Sequence, residues 1–334
     1  MDKFRIGIIG AGSIVEGNHL PAILSLDGAE ATWIYDKNPA RMALVSRMYG
    51  IRPLEGRLPA DALGEVDICL LATPYGVRRP YIDLCREMGK ALVVEKPFAF
   101  SKEEHMAYCS GFEEWEIAVN FQRRFYRSVG TIRQMISARM FGGLRSARLL
   151  QGNFSLKGGS GYLSSVELAG GGVIAESASH SLDILLSVTE AREVCVQQLK
   201  SLQLSGLDYD TVFDSEIVGP AGKLPVHCEI STLRNLANGL YLEFDNAMVS
   251  CDLSPGGTLF IRDPGNQRIL FSLSGESEQE GCPASATAVN KAFLAFWRAF
   301  LDGLRQRRGN RTSASSAVLT SAWLEEIYKK IKST

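Results

Sequence analysis

The sequence predicts an α/β chain in two parts: a doubly wound parallel sheet, then an α+β domain with a mostly antiparallel, open-faced sheet. Two observations carry this. Early in the chain, short runs that are apolar throughout alternate with helically spaced segments ending near glycine, the pattern of strands covered by helices on both faces. Later runs instead alternate apolar and polar residues, as in "GLYLEFD", the pattern of a sheet buried on one face.

The first part holds five strand candidates: "FRIGIIG", "ATWIYD", "VDICLLAT", "ALVVEK" and "EIAVNF", the last ending at Phe121. "PARMALVSRMYG" and "RRPYIDLCREMGK" read as helices between them. From residue 122 a helix is expected at "SVGTIRQMISARM", stopped by Gly142 and Gly143. Strands follow at "RSARLLQGNFSL", "VCVQQLKSLQL", "DSEIVG", "VHCEISTL", "GLYLEFDNAMVSCDL" and "TLFIRD", with a helical segment at "GGGVIAESASHSLDILLSV". The C-terminus returns to helix, where Val289, Phe293, Phe296, Trp297, Phe300, Leu301 and Leu304 make one apolar face. Arg305, Arg307 and Arg308 sit where cations suit a helix C-terminus.

The 334 residues exceed one ordinary core and suit two domains, 1–121 and 122–334, with the C-terminal helices able to return to the first. A formal net charge of −1 argues against nucleic acid or an anionic membrane surface as partner. Apolar runs are too short to span a bilayer, and "MDKFRIGIIG" leaves no room for a signal peptide before the first strand. Seven scattered cysteines lack a C-x-x-C pair, so neither a disulfide framework nor a zinc site is expected. The expected location is cytoplasmic.

"GIIGAGSIV" sets Gly10 and Gly12 directly after the first strand. Gly10 suits a tight turn, and Gly12 lets the backbone approach a pyrophosphate at a helix N-terminus. Val15 takes the third position of the fingerprint. Asp36 ends the second strand, where a carboxylate accepts hydrogen bonds from an adenosine ribose and repels a 2′-phosphate. Dinucleotide binding by a Rossmann domain is therefore expected, with NAD favoured; Lys37 beside that acid leaves NADP open.

Further along, "GAGSIVEGNHLPAI", "VDICLLATP", "GKALVVEKPFA", "NFQRRF" and "GGGVIAESASHSLD" occur in order. Together they resemble the Gfo/Idh/MocA oxidoreductases, a family that includes glucose–fructose oxidoreductase and inositol dehydrogenases. The resemblance implies a Rossmann domain over 1–121 and a substrate-binding and oligomerisation domain over 122–334. It implies a cofactor site of Gly10, Gly12, Ser13, Ile14, Asp36, Lys37, Thr73, Pro74, Glu95 and Lys96, with a cis bond before Pro97. The sequence departs from the family pattern at Glu176 for aspartate, Ala178 for glycine, Arg78 for histidine and Tyr75 for asparagine.

Lys96 then suits stabilisation of a substrate alkoxide. Glu95 is left between cofactor contact and support for Lys96. His180 is the expected proton carrier. Glu176, His180 and Asp183 have i, i+4, i+7 spacing, one face of a helix, from which the carboxylates orient the imidazole or the substrate. Arg124, Tyr162, Asp183, His180 and Lys96 are the substrate-binding candidates, with Lys157 in the glycine-rich "LKGGSGYLSS" beside them. No metal is expected. His19 is read as shaping a turn, and His105 and His227 receive no role.

The expected activity is NAD(P)-dependent hydride transfer at a hydroxyl-bearing carbon of a sugar, cyclitol or derivative, in a homodimer or homotetramer. An NAD-dependent glycosidase and a non-catalytic NAD-binding regulator stand as alternatives.

Overall fold

The computed structural model describes residues 2–56, 58, 60–155, 161–254, 256–274, 279–280 and 289–333. The chain divides into two compact units. One comprises Met1–Phe98, Glu104–Gln122 and Glu278–Ala317; the other comprises Ala99–Glu103, Arg123–Ser277 and Val318–Thr334.

The first unit is built on β1 (Phe4–Ile9), which leads through a wide turn at Val15–His19 into α1 (Leu20–Leu24). Then follow β2 (Ala29–Tyr35), α2 (Pro39–Tyr49), β3 (Arg52–Pro53), α3 (Ala60–Gly64), β4 (Ile68–Leu71), α4 (Arg79–Glu87), β5 (Ala91–Val94), α5 (Lys102–Cys109) and β6 (Ile117–Val119). The sheet is parallel, in the order β3-β2-β1-β4-β5-β6. Every residue of β4, β5 and β6 is buried, which is why their sequences are apolar throughout rather than alternating. Asn38 caps α2 by accepting from the Ala40 and Arg41 amides, and Gly50 ends it in a left-handed conformation.

The second unit begins with α6 (Arg127–Ser137), β7 (Leu144–Gly152), α7 (Val166–Ala169) and, after a wide turn at Ile174–Ala178, α8 (Ser179–Thr189). Its sheet adds β8 (Glu193–Leu204), β9 (Leu207–Gly219), β10 (Gly222–Ser231), β11 (Gly239–Phe244), β12 (Met248–Cys251), β13 (Leu259–Arg262) and β14 (Ile269–Leu273). The order is β14-β13-β12-β11-β7-β10-β9-β8, antiparallel except between β7 and β10. In β11, Leu240, Leu242 and Phe244 are buried while Tyr241 and Glu243 reach the other face, so the alternation in the sequence marks the covered side.

The short β15 (Gln279–Glu280) pairs with β16 (Val289–Asn290), and Asn290 caps α9 (Lys291–Gln306). α9 belongs to the first unit and α10 (Val318–Ser333) to the second. Trp297 of α9 is fully buried, with Phe296 and Phe300 edge-on to its ring. Trp323 of α10 stands edge-on to Phe213 of β9, and its indole N–H donates to Ser215 Oγ at 3.2 Å. The six described cysteines are free thiols, and no described helix is long and apolar enough to cross a membrane.

Trp323→Ala removes a buried aromatic and leaves the Ser215 hydroxyl in a cavity. It should cost about 3–5 kcal/mol in the second unit, read as a shifted midpoint in urea monitored through that unit.

Candidate functional site

The carboxyl ends of β1, β2, β4 and β5 carry the residues expected to hold a dinucleotide. Gly10 turns the chain at φ +109, and a Cβ there would lie 2.4 Å from the Ala72 carbonyl oxygen, so no other residue fits. Gly12 differs: a Cβ there would meet nothing within 4 Å. The protein does not itself require glycine at that point, and the space left open above the turn suits a pyrophosphate. The Ala11 amide donates to Asp36 Oδ2 at 2.7 Å, and Arg41 Nε donates to the Ala11 carbonyl at 2.7 Å. Arg41 also pairs with Glu16, which follows the turn. Asp36 thus fixes the turn while its carboxylate keeps lone pairs for a ribose.

Ser13 and Lys37 are exposed, and Ile14 and Pro74 are half-buried. Val15, fully buried, packs the wide turn onto the sheet in place of the fingerprint's small residue. Thr73 Oγ1 is enclosed with no hydrogen-bond partner among the described residues, an unmet valence at the end of β4 that a cofactor polar group would satisfy. The residues present therefore fit a dinucleotide.

Glu95 is the centre of this unit's chemistry. Its carboxylate is buried, and Oε1 accepts from Asn120 Nδ2 at 2.6 Å and from His19 Nε2 at 2.7 Å. Trp297 Nε1 lies 3.0 Å from His19 Nδ1. Indole N–H only donates, so His19 Nδ1 must accept, which puts the imidazole proton on Nε2, facing Glu95. Burial pushes the Glu95 carboxyl up, but the hydrogen bonds from His19 and Asn120 and the Lys96 charge outweigh it and hold it below the ordinary glutamate range. The Lys96 amide donates to Glu95 Oε2 at 3.3 Å, and the Lys96–Pro97 bond is cis. Glu95 therefore braces the strand end that presents half-buried Lys96. His19 does more than shape a turn: it ties that strand end to α9. Sequence reasoning missed Asn120 and Trp297, whose only signals are a polar residue closing an apolar strand and an indole on an apolar helix.

Where the family pattern expects histidine, Arg78 is 1% exposed. Its guanidinium donates to the Glu95 carbonyl at 2.8 Å, to the Pro97 carbonyl, and to the Thr73 carbonyl at 3.0 Å. Tyr75 donates to both oxygens of Glu104, at 2.7 and 2.8 Å. His105 lies buried, Nε2 at 2.9 Å from the Ala314 carbonyl; burial lowers its pKa to about 4, so it is a neutral brace.

In the second unit the three consecutive glycines have structural reasons. Gly170 ends α7 in a left-handed conformation. A Cβ on Gly171 would strike Tyr328 Oη at 2.1 Å, and one on Gly172 the Asp208 carbonyl oxygen at 2.0 Å. Asp208 accepts from the Gly172 and Ile174 amides at 2.7 and 2.8 Å and from Tyr328 Oη at 2.8 Å. Burial and that carboxylate push the Tyr328 phenol well up. Gln151 of β7 donates to the Ser177 carbonyl at 3.0 Å and accepts from Ser181 at 2.9 Å, pinning the junction of the wide turn and α8.

Glu176, half-buried, lies within that wide turn, whereas His180 and Asp183 belong to α8. The trio is thus not carried by one regular α-helix. Asp183 is fully buried and takes both bonds of a forked pair: Arg124 Nε to Oδ2 at 2.6 Å and Nη2 to Oδ1 at 2.5 Å, with Thr320 Oγ1 at 3.0 Å. Arg124 and Asp183 are brought together, each the other's partner. Tyr162 is exposed in the turn Gly161–Ser164, and Lys157 lies outside the described residues. No cluster of metal-ligating side chains occurs among the described residues.

Residues 4–118 match the Gfo/Idh/MocA family profile, described as an oxidoreductase family with an NAD-binding Rossmann fold. This stretch is what the chain has in common with the Gfo/Idh/MocA family. A D-apiose dehydrogenase of Paraburkholderia graminis is 28% identical over 127 residues, covering 37% of this chain and 33% of the relative. An inositol 2-dehydrogenase of Rhodococcus erythropolis is 27% identical over 139 residues, 40% of each chain. The chain thus matches between a third and two fifths of the length of these two curated relatives. The fold extends over the whole chain. An aldose-aldose oxidoreductase from Caulobacter crescentus, complexed with glycerol, superposes with a TM-score of 0.82 at 16% identity, covering 99% of this chain and 98% of that one. A 3-ketoreductase from Actinomadura kijaniata, in complex with NADP and TDP-benzene, gives 0.80 at 13% identity over 98% of both. Within the matched stretch, Glu95 and Lys96 stand at the carboxyl end of β5, where ligands of open α/β sheets bind.

Glu95→Gln replaces the carboxylate that His19 and Asn120 both address. At neutral pH it should cost about 1.5–3 kcal/mol, the worth of buried charge-assisted hydrogen bonds. Because folding depresses this carboxyl, its contribution is present above the unfolded value and is lost as pH falls through the folded one. The stability gap between parent and variant, measured by urea unfolding, should therefore close as pH is lowered below about 4.

Proposed function

We propose that the chain is an NAD(P)-dependent oxidoreductase acting on a hydroxyl-bearing carbon of a sugar, cyclitol or sugar derivative. The observation that carries the reading is the buried, doubly hydrogen-bonded Glu95 carboxylate bracing the strand end that presents Lys96, beside the Gly10–Gly12 turn. A pure binding module has no need of a lysine held at that strand end. The polyol class is supported by the names of the relatives, dehydrogenases of D-apiose and of inositol.

When bound, the nicotinamide supplies or accepts the hydride. The Gly10–Gly12 turn and the start of the following helix would hold the pyrophosphate, with Ser13 and Ile14 flanking it. Asp36 would accept from the adenosine ribose; its charge disfavours a 2′-phosphate, so NAD is the preferred cofactor, with Lys37 and Arg41 nearby to admit NADP. Thr73 and Pro74 line the end of β4. Lys96 would bind the reacting oxygen and stabilise its negative charge. His180 would take the hydroxyl proton in oxidation and return it in reduction. Glu176 would orient substrate hydroxyls. Asp183 acts here by holding Arg124 and α8, since both its oxygens are engaged; Arg124 and Tyr162 remain the substrate-binding residues of the reading.

Self-association is proposed through the open face of the second unit's sheet. Tyr241, Met248 and Phe260 lie on it between Arg148 and Arg262. Ile269 of its terminal strand β14, opposite Arg262 on that face, is about half exposed, apolar area that a second copy would cover. Light scattering should give a dimer or tetramer in the parent and a smaller species for Ile269→Glu; a monomeric parent would refute the assignment.

A screen of sugars and cyclitols with NAD, followed through NADH absorbance, should yield a substrate. Lys96→Met should lower kcat on it by about 10²–10³-fold, the loss of a group that stabilises developing charge, with NAD affinity retained. Net NADH release separates this reading from a glycosidase, which returns its cofactor unchanged. Full activity in the lysine variant would sink the mechanism.

A further inference from the structure

Two departures from the family pattern, Tyr75 and Arg78, form one assembly around the strand end that carries Lys96. The buried Arg78 guanidinium, which stays charged at any physiological pH, donates to three carbonyls at the ends of β4 and β5: Thr73, Glu95 and Pro97. Two of these flank Lys96, the carbonyl immediately before it and that of the next residue. The Glu95 side chain is held independently by His19 and Asn120. Tyr75 backs the clamp. Its ring centroid lies 5.8 Å from the guanidinium carbon, and its hydroxyl is tied to Glu104, which also accepts from Tyr108 at 2.8 Å.

The residue types suit the task. Three carbonyls on two strand ends need several donors spread in a plane, which guanidinium provides. An ammonium presents its donors from one point, and neutral imidazole has a single N–H. Bonds from a charged donor in a site closed to water are stronger and more directional than neutral ones. A brace for the β4–β5 junction alone would not need to address the peptide carbonyls on both sides of one functional side chain.

We infer that Arg78 is a positioning residue for Lys96: by holding the carbonyls on either side, it sets the direction in which the lysine enters the site. The inference rests on the assignment of Lys96 as the charge-stabilising group, so its test includes a readout that needs no turnover. That readout is the rate at which acetic anhydride acetylates Lys96, followed by mass spectrometry against Lys37 and Lys90 as internal references.

The experiment compares the full chain with Arg78→Lys, Arg78→Met and Arg78→His. Folding is checked by circular dichroism and NAD affinity by titration calorimetry. Folded variants should keep NAD affinity within about threefold, change the relative acetylation of Lys96 by more than that, and leave Lys37 and Lys90 unmoved. On a substrate from the polyol screen, kcat should fall about 10–100-fold with KM little changed, the effect of misplacing a catalytic group by about 1 Å. Arg78→Lys, which keeps charge and some donors, should retain more than Arg78→Met. Parent-like acetylation of Lys96 in a folded variant would overturn the inference. So would failure of all three variants to fold, which would assign Arg78 to stability alone. If the parent turns over no polyol, the proposed reaction fails, while the acetylation result still decides whether Arg78 positions Lys96.

Discussion

A carboxylate taken out of water must be given donors or it will neutralise, and Glu95 meets that demand from three distant parts of the chain. His19 comes from the turn after β1, Asn120 from the end of β6, and Trp297 from α9 fixes which nitrogen of His19 carries the proton. Each of these groups has a defined role only because the others are present. Without Trp297, His19 could turn either nitrogen toward Glu95; without His19, the carboxylate would keep fewer bonds against a large desolvation term. The result is an ionised group whose geometry is fixed at the strand end that presents Lys96. It also explains why a helix near the C-terminus is integral to a nucleotide-binding unit formed mainly by the first 122 residues.

The second unit solves a parallel problem in the same way. Asp208 caps the backbone amides that follow the three glycines, and Asp183 forks with Arg124 and takes Thr320 as a third donor. Both units approach their signature histidines through a wide turn that runs into a regular helix, at Val15–His19 and at Ile174–Ala178. Such turns displace side chains from α-helical register and recur where a helix must aim a functional group. The glycines around them are set by close approach: Gly10 against Ala72, Gly171 against Tyr328, Gly172 against Asp208. Gly12 alone among these faces open space, and that contrast points to a ligand rather than to packing.

Much of this was legible in the sequence because it is local. Apolar runs located the buried strands, Gly10 followed from a tight turn after a strand, and the alternation in β11 marked the covered face of the second sheet. Partners distant in sequence were not legible. Glu95 and His19 are 76 positions apart and His19 and Trp297 are 278 apart, so neither periodicity nor spacing could reveal that Glu95 braces its own strand end. Asp183 read as one of three residues on a helical face, because nothing near it announces Arg124 or Thr320 as its donors. The helical spacing of Glu176 and His180 is real in number, but the wide turn between them follows from backbone packing that a residue count does not see. Arg78 and Tyr75 registered only as departures, and their meaning emerged when three carbonyls were found around one guanidinium. The helix α5, Lys102–Cys109, carries too little apolar contrast along its polar sequence to stand out.

The central claim is that the end of β5 delivers Lys96 to a substrate oxygen beside a dinucleotide held on the Gly10–Gly12 turn. A crystal structure with NAD and a soaked polyol tests it directly. The account predicts the pyrophosphate over Gly12, a ribose hydroxyl on Asp36, and a substrate hydroxyl within hydrogen-bond distance of Lys96 Nζ. A cofactor seated away from that turn, or a polyol bound out of reach of Lys96, would contradict it.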